Sequence, residues 1–105
     1  MSSQQASFGV GELVEHRLFG YRGVVFDVDP NFQGTEEWYD TVARSRPPKD
    51  APWYHVLVHG AAHTTYVAER NLAPDTSDES IRHPELDIHF EGLTGGRYIP
   101  REKKN

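Results

Sequence analysis

The chain has 105 residues, enough for one domain and little more, with 16 acidic against 11 basic side chains and a formal net charge of -5. Bulk attraction to phosphate is thereby excluded, and any contact with nucleic acid must come from a local basic face. The absence of cysteine removes disulfides and thiolate metal sites, and no apolar run approaches the length of a membrane span.

Met1 to Ser7 is small and polar and has neither the basic nor the apolar region of a signal peptide. Residues 1–7 are expected to be a disordered lead-in, and the protein to be cytoplasmic. Leu13 to Leu18 reads as a strand, with Val14, His16 and Leu18 as its inner set. After the turn at Phe19-Gly20-Tyr21, a second strand is expected over Arg22 to Val28, with Val24, Phe26 and Val28 on one face. Asp29-Pro30 stops it, because proline brings no amide hydrogen to a ladder.

Residues 31–51 break the β pattern. Thr35 to Arg44 reads as a short helix with Thr35 as N-cap, acidic residues in its first turn, and Trp38 and Val42 spaced to dock on the sheet. Pro47-Pro48 ends it. Trp53 to His59 is the strongest strand, with Tyr54, Val56 and Val58 on one face. A short loop at Gly60-Ala61-Ala62 leads into a strand over His63 to Glu69, and Arg70-Asn71-Leu72 adds a last pairing segment. The sets Val14/Leu18, Val24/Phe26/Val28 and Tyr54/Val56/Val58 are expected to share one core. Beyond Pro74 the chain is polar. A helical turn is expected after Pro84, with Leu86 and Phe90 four apart; Gly92, Gly95 and Gly96 then end regularity, and Arg97 to Asn105 reads as a mobile basic tail.

Several short strands in so small a chain favour an all-β fold, a small SH3-like barrel with a short helical insertion, because closure removes exposed edges. The expected organisation is a lead-in at 1–7, the barrel at 8–74 with its insertion at 31–51, and a C-terminal extension at 75–105.

The pattern Gly11, Val14, His16, Gly20-Tyr21-Arg22-Gly23-Val24-Val25, Asp29-Pro30, Pro52-Trp53-Tyr54-His55-Val56-Leu57-Val58, Tyr66-Val67-Ala68-Glu69 and Asn71-Leu72 resembles the HspQ or YccV-like hemimethylated-DNA-binding domain family. The resemblance covers most of Gly9 to Leu72. It implies an SH3-like barrel in a bacterial cytoplasmic protein that binds hemimethylated DNA. It also implies an alternative, an adaptor that modulates ATP-dependent proteolysis of specific clients, the partner then being the protease or its clients. No catalytic motif comes with it.

The residues offer three kinds of site. Arg22, Arg44, Arg46, Lys49 and Arg70, with Arg17, are candidates for a phosphate-facing patch, and Tyr21, Trp38 or Trp53 is available to stack on bases. Arg22 leads, because Gly20 and Gly23 beside it allow close approach. Trp38 and Tyr39 of the insertion are the candidate contacts to a protein partner. His55, His59 and His63 suit zinc or nickel in residue type, but no carboxylate has the spacing to complete a shell, so no metal and no cofactor are expected. Asp27 and Asp29 share a strand face without a nucleophile or dry pocket in view, so the expected class is a binding module and not an enzyme. Self-association is left open.

Overall fold

The computed structural model describes residues 5–101; the expected lead-in at 1–4 and tail at 102–105 lie outside the described residues. Strands β1 (Leu13–His16), β2 (Arg22–Asp29), β3 (Trp53–Val58), β4 (Thr64–Ala68) and β5 (Leu72–Pro74) form one antiparallel sheet in the order β4-β3-β2-β1-β5. Helix α1 (Glu36–Val42) lies in the insertion between β2 and β3. A short helix, α2 (Leu86–His89), then leads into a hairpin of β6 (Phe90–Thr94) and β7 (Arg97–Pro100). No helix among the described residues is long and apolar enough to cross a membrane.

The expected all-β class stands, with one correction to the barrel. Val14, Val25, Tyr54, Val56, Val67 and Leu72 come from all five strands and meet in a single cluster, so the sheet curls around them. Yet no ladder joins β4 to β5. A 3-10 turn at Glu69–Asn71 carries the chain from one to the other, and β5 has only three residues, the last of them Pro74, and pairs with β1. The seam at β4 stays open.

The apolar sets also divide differently from the expected single core. Successive residues of a strand point to opposite faces, and here both faces are covered. Val25 and Val56 face the curled interior, whereas Val24, Leu13 and Leu57 pack against Ile81, Phe90 and Tyr98. A bulge between Val25 and Asp27 shifts the β2–β3 register, so Val28 joins the Val25 cluster and Phe26 stays with Val24. Leu18, expected inside, is 61% exposed because β1 ends at His16.

The C-terminal hairpin is the largest departure. Arg97 to Pro100 is its second strand and not the start of a tail; Gly95 and Gly96 form the two-residue turn, both at positive φ. Tyr98 and Phe90 are buried on the sheet, and the Tyr98 hydroxyl accepts from the Ile81 amide at 2.8 Å. Gly11 makes this docking feasible: its φ is 97°, and a Cβ there would overlap the Tyr98 carbonyl oxygen.

The insertion folds as expected in outline. The Thr35 hydroxyl caps α1 by accepting from the Trp38 amide at 3.0 Å. Its buried anchor, however, is Tyr39, whose hydroxyl donates to the Pro47 carbonyl at 2.6 Å. Trp38 is half-buried against Trp53 and Tyr66, and Val42 is 55% exposed.

Candidate functional site

All five residues of β4 line a groove of about 840 Å³ that follows the open seam. Leu18, Phe19 and Tyr21 from the β1–β2 turn form one wall. Trp38, Val42 and Ala43 of the insertion form the other. The lining contains no carboxylate, in a chain where acids outnumber bases. An anion in the groove therefore meets no carboxylate in its lining, Asp29 standing behind His55 and Tyr66.

His16 sets the first wall. Its Nδ1 accepts from the amides of Leu18 and Phe19 at 3.1 and 3.2 Å, and its ring stacks on Phe19 at 4.5 Å. An acceptor at Nδ1 requires an unprotonated nitrogen, and burial pushes the pKa of His16 below its ordinary 6.5. The unfolded chain then takes up this proton before the folded one does. The stability contributed is complete above the unfolded value and is lost as pH falls toward the lowered folded value. His59, held low by burial and by Arg22 and Arg82, adds a dependence of the same sign. The melting temperature is accordingly expected to fall between about pH 7.5 and pH 5, with broadening of the Leu18 and Phe19 amide signals. His16→Asn keeps an acceptor without a titrating ring and should fall less over the same range; an equal fall would remove His16 from this role.

The structure separates the basic residues into two groups. Arg22 is not free: its Nε donates to Asp75 at 2.6 Å and its Nη2 to the Glu79 carbonyl at 2.6 Å, tying β2 to the segment after β5. Lys49 is also engaged, with Glu36 at 2.6 Å and over the Tyr39 ring at 4.4 Å. The other four lie near Ser45, Asn71 and Leu72; Arg44 lines the groove, and Arg17 Nε donates to the Leu72 carbonyl at 3.0 Å. Arg70 donates to the Ser45 carbonyl, Asn71 to the Ser45 hydroxyl at 3.4 Å, and the Arg17 amide to the Asn71 carbonyl at 2.8 Å. Arg44 and Arg46 flank Ser45 in sequence; Arg46 leans on the Tyr39 ring at 4.9 Å and meets Asp40 at 3.2 Å. Arg17, Arg44, Arg46 and Arg70 are all exposed. Among the described residues Arg44 has no ion pair.

Of the remaining candidates, Tyr21 lines the groove half-buried, its hydroxyl 2.8 Å from Thr65 Oγ1. Trp38 is on the wall as a partner contact would need, but Tyr39 is 4% exposed and presents nothing outward. The grouping of His55, His59 and His63 that their spacing would allow does not form among the described residues. His59 Nδ1 accepts from the Arg82 amide, and His55 turns instead toward Asp29, 3.1 Å away. The β2–β3 ladder supplies the carboxylates that sequence spacing denied: ligand atoms of Asp27, Asp29 and His55 lie within 4.8 Å of one another. The Asp29 oxygen facing His55 also accepts from the Tyr66 hydroxyl at 2.6 Å, so the group links β2, β3 and β4. Burial, together with that bond, raises the Tyr66 pKa. Sequence reasoning missed the Leu18–Phe19 wall. Its signal was two adjacent large apolar residues in a turn with nothing in sequence to cover them.

A family model described as "Hemimethylated DNA-binding protein YccV like" matches residues 6–97, from the edge of the lead-in through the turn of the C-terminal hairpin.

Proposed function

Since the chain belongs to the YccV-like family, we propose that it is a non-enzymatic DNA-binding module that takes hemimethylated duplex through Arg17, Arg44, Arg46 and Arg70. The family match over residues 6–97 carries this reading. The physical support is local: four exposed arginines near Ser45, Asn71 and Leu72, beside a groove whose lining has no carboxylate, offer cationic side chains on a negative molecule. Guanidinium forks pair bidentately with phosphate and position a duplex without reading sequence. Discrimination between methylation states would come from the apolar walls, since a methyl group is recognised by apolar contact. Tyr21 and Trp38 contribute aromatic surface there. Arg22, engaged within the fold, and Lys49, less exposed than Arg46 (37% against 64%), have no phosphate role in this reading; Arg46 would exchange its exposed Asp40 partner for phosphate.

The test is fluorescence anisotropy with one duplex sequence in unmethylated, hemimethylated and fully methylated forms, using N6-methyladenine and 5-methylcytosine in turn. The hemimethylated form is expected to bind most tightly, with affinity falling as salt rises. Equal affinity for all three forms would reduce the protein to a phosphate binder. Absence of binding would leave the adaptor reading, in which the module presents clients to an ATP-dependent protease. The specific observation favouring that second reading is the exposure of Leu18, Phe19 and Val42 on the groove walls.

A further inference from the structure

We infer that the β4 edge is a docking site for an extended peptide with alternating apolar side chains and an acidic flank, added to the sheet as a sixth strand. The register identifies the free groups. The Glu69 amide donates to the Pro52 carbonyl, and the β3–β4 pairing continues without a break as Ala68 with Trp53, Val67 with Tyr54, Tyr66 with His55 and Thr65 with Val56. Opposed residues in an antiparallel pair alternate between bonded and non-bonded. Glu69, Val67 and Thr65 therefore turn their backbone groups toward β3. Thr64 and Tyr66 turn both N–H and C=O away from it, and Ala68 turns its N–H away. Among the described residues no backbone bond from outside the β3–β4 pair reaches Thr64 or Tyr66.

An open edge is usually blunted by proline, by charge or by shortness. The opposite edge has two of these, since β5 has three residues and ends in Pro74. β4 has none of them: it reads Thr-Thr-Tyr-Val-Ala. Apolar walls rise on both sides of it, Leu18 and Phe19 on one and Trp38 and Val42 on the other, so alternate side chains of an added strand would meet one wall and then the other. Charge selects the peptide further. With Arg44 in the lining, Arg17 and Arg70 near Leu72 and Ser45, and no lining carboxylate, an acidic flank is favoured there and a basic one repelled. A nucleic-acid backbone has no ladder of N–H and C=O groups to match Thr64 and Tyr66, whereas a peptide has.

The test begins with a displayed library of random dodecapeptides selected on the full chain. Enrichment of peptides combining Asp or Glu with alternating β-branched or aromatic residues is expected. Binding of a selected peptide should slow hydrogen exchange at the Thr64 and Tyr66 amides. Ala68→Pro places a ring where the outward N–H was, at a φ of -70° that proline adopts without strain. Ala68 is 3% exposed and packs with Tyr39 and Trp53, so the ring also costs some stability. Compared at a temperature where both proteins are fully folded, the variant should bind the peptide at least about tenfold more weakly, as loss of a main-chain bond and a steric block require. Arg44→Ala should weaken acidic peptides selectively. The proposal is overturned if no peptide is enriched, or if those selected leave both amides exchanging at the free rate. It is overturned too if hemimethylated duplex alone slows them. A wild-type dimer that Ala68→Pro converts to monomer would likewise overturn it, by assigning the edge to a second copy.

Discussion

Tyr98→Ala is expected to destabilise the fold by about 3–5 kcal/mol, the range for removing a large aromatic from a packed core. Tyr98 is 3% exposed, packs with Phe90 at 5.5 Å between ring centres, and accepts from the Ile81 amide. Its loss opens a cavity against Leu13, Val24 and Leu57 and leaves a buried amide unpaired. At roughly 4–8 °C per kcal/mol for a domain of this size, the melting temperature should drop far enough to unfold much of the population at 37 °C. Leu18→Ala, at a position 61% exposed, should stay within about 0.5 kcal/mol. Thermal unfolding of the two variants side by side decides the matter. Equal, small shifts would mean that the hairpin is an appendage and not part of the core.

Arg22→Ala is the second large effect, about 3 kcal/mol, because it strips the partner from a carboxylate whose side chain is only 7% exposed. Burial alone would raise the pKa of Asp75. The Ser77 amide, the Arg22 guanidinium and the Ser77 hydroxyl outweigh it and hold Asp75 below its ordinary value. A depressed carboxylate contributes stability above its unfolded pKa that disappears as pH falls through the folded one. Without Arg22 that protection shrinks, and acid unfolding should begin at higher pH. Arg22→Ala/Asp75→Ala should recover part of the loss, giving a coupling between the two sites in a double-mutant cycle. If Arg22→Ala melts like the wild type but no longer binds DNA, the side chain is free in solution and belongs to the DNA face.

Much of the sheet was legible because β-branched and aromatic runs bounded by glycine and proline leave little choice of element. Trp53 to Val58 and Arg22 to Asp29 were placed nearly to their ends. What failed depended on pairing. The bulge that moves Val28 to the other face exists only in the β2–β3 ladder, and Arg22 gives no sign in sequence of a partner 53 residues away. Tyr39 and Trp38 are adjacent aromatics on a two-turn helix, and which one is buried depends on Pro47, Trp53 and Ala68, which meet Tyr39 only in the folded chain. The hairpin could have been read: Gly95-Gly96 between Leu93-Thr94 and Arg97-Tyr98-Ile99 is a two-residue turn signal. The three glycines looked like an end to structure when two of them were its turn. The groove could not be read, since its walls come from segments distant in sequence and its floor is an edge left open where barrel closure was expected.

The role of the arginines beside the groove is tested most directly by the salt dependence of binding to hemimethylated duplex. Arg44 and Arg70 are exposed and make no buried contact, so Arg44→Ala/Arg70→Ala should fold and melt like the wild type. The slope of log affinity against log salt should become shallower by about 0.9 for each phosphate contact removed. A double variant with the wild-type slope and affinity would contradict the assignment of DNA binding to these arginines.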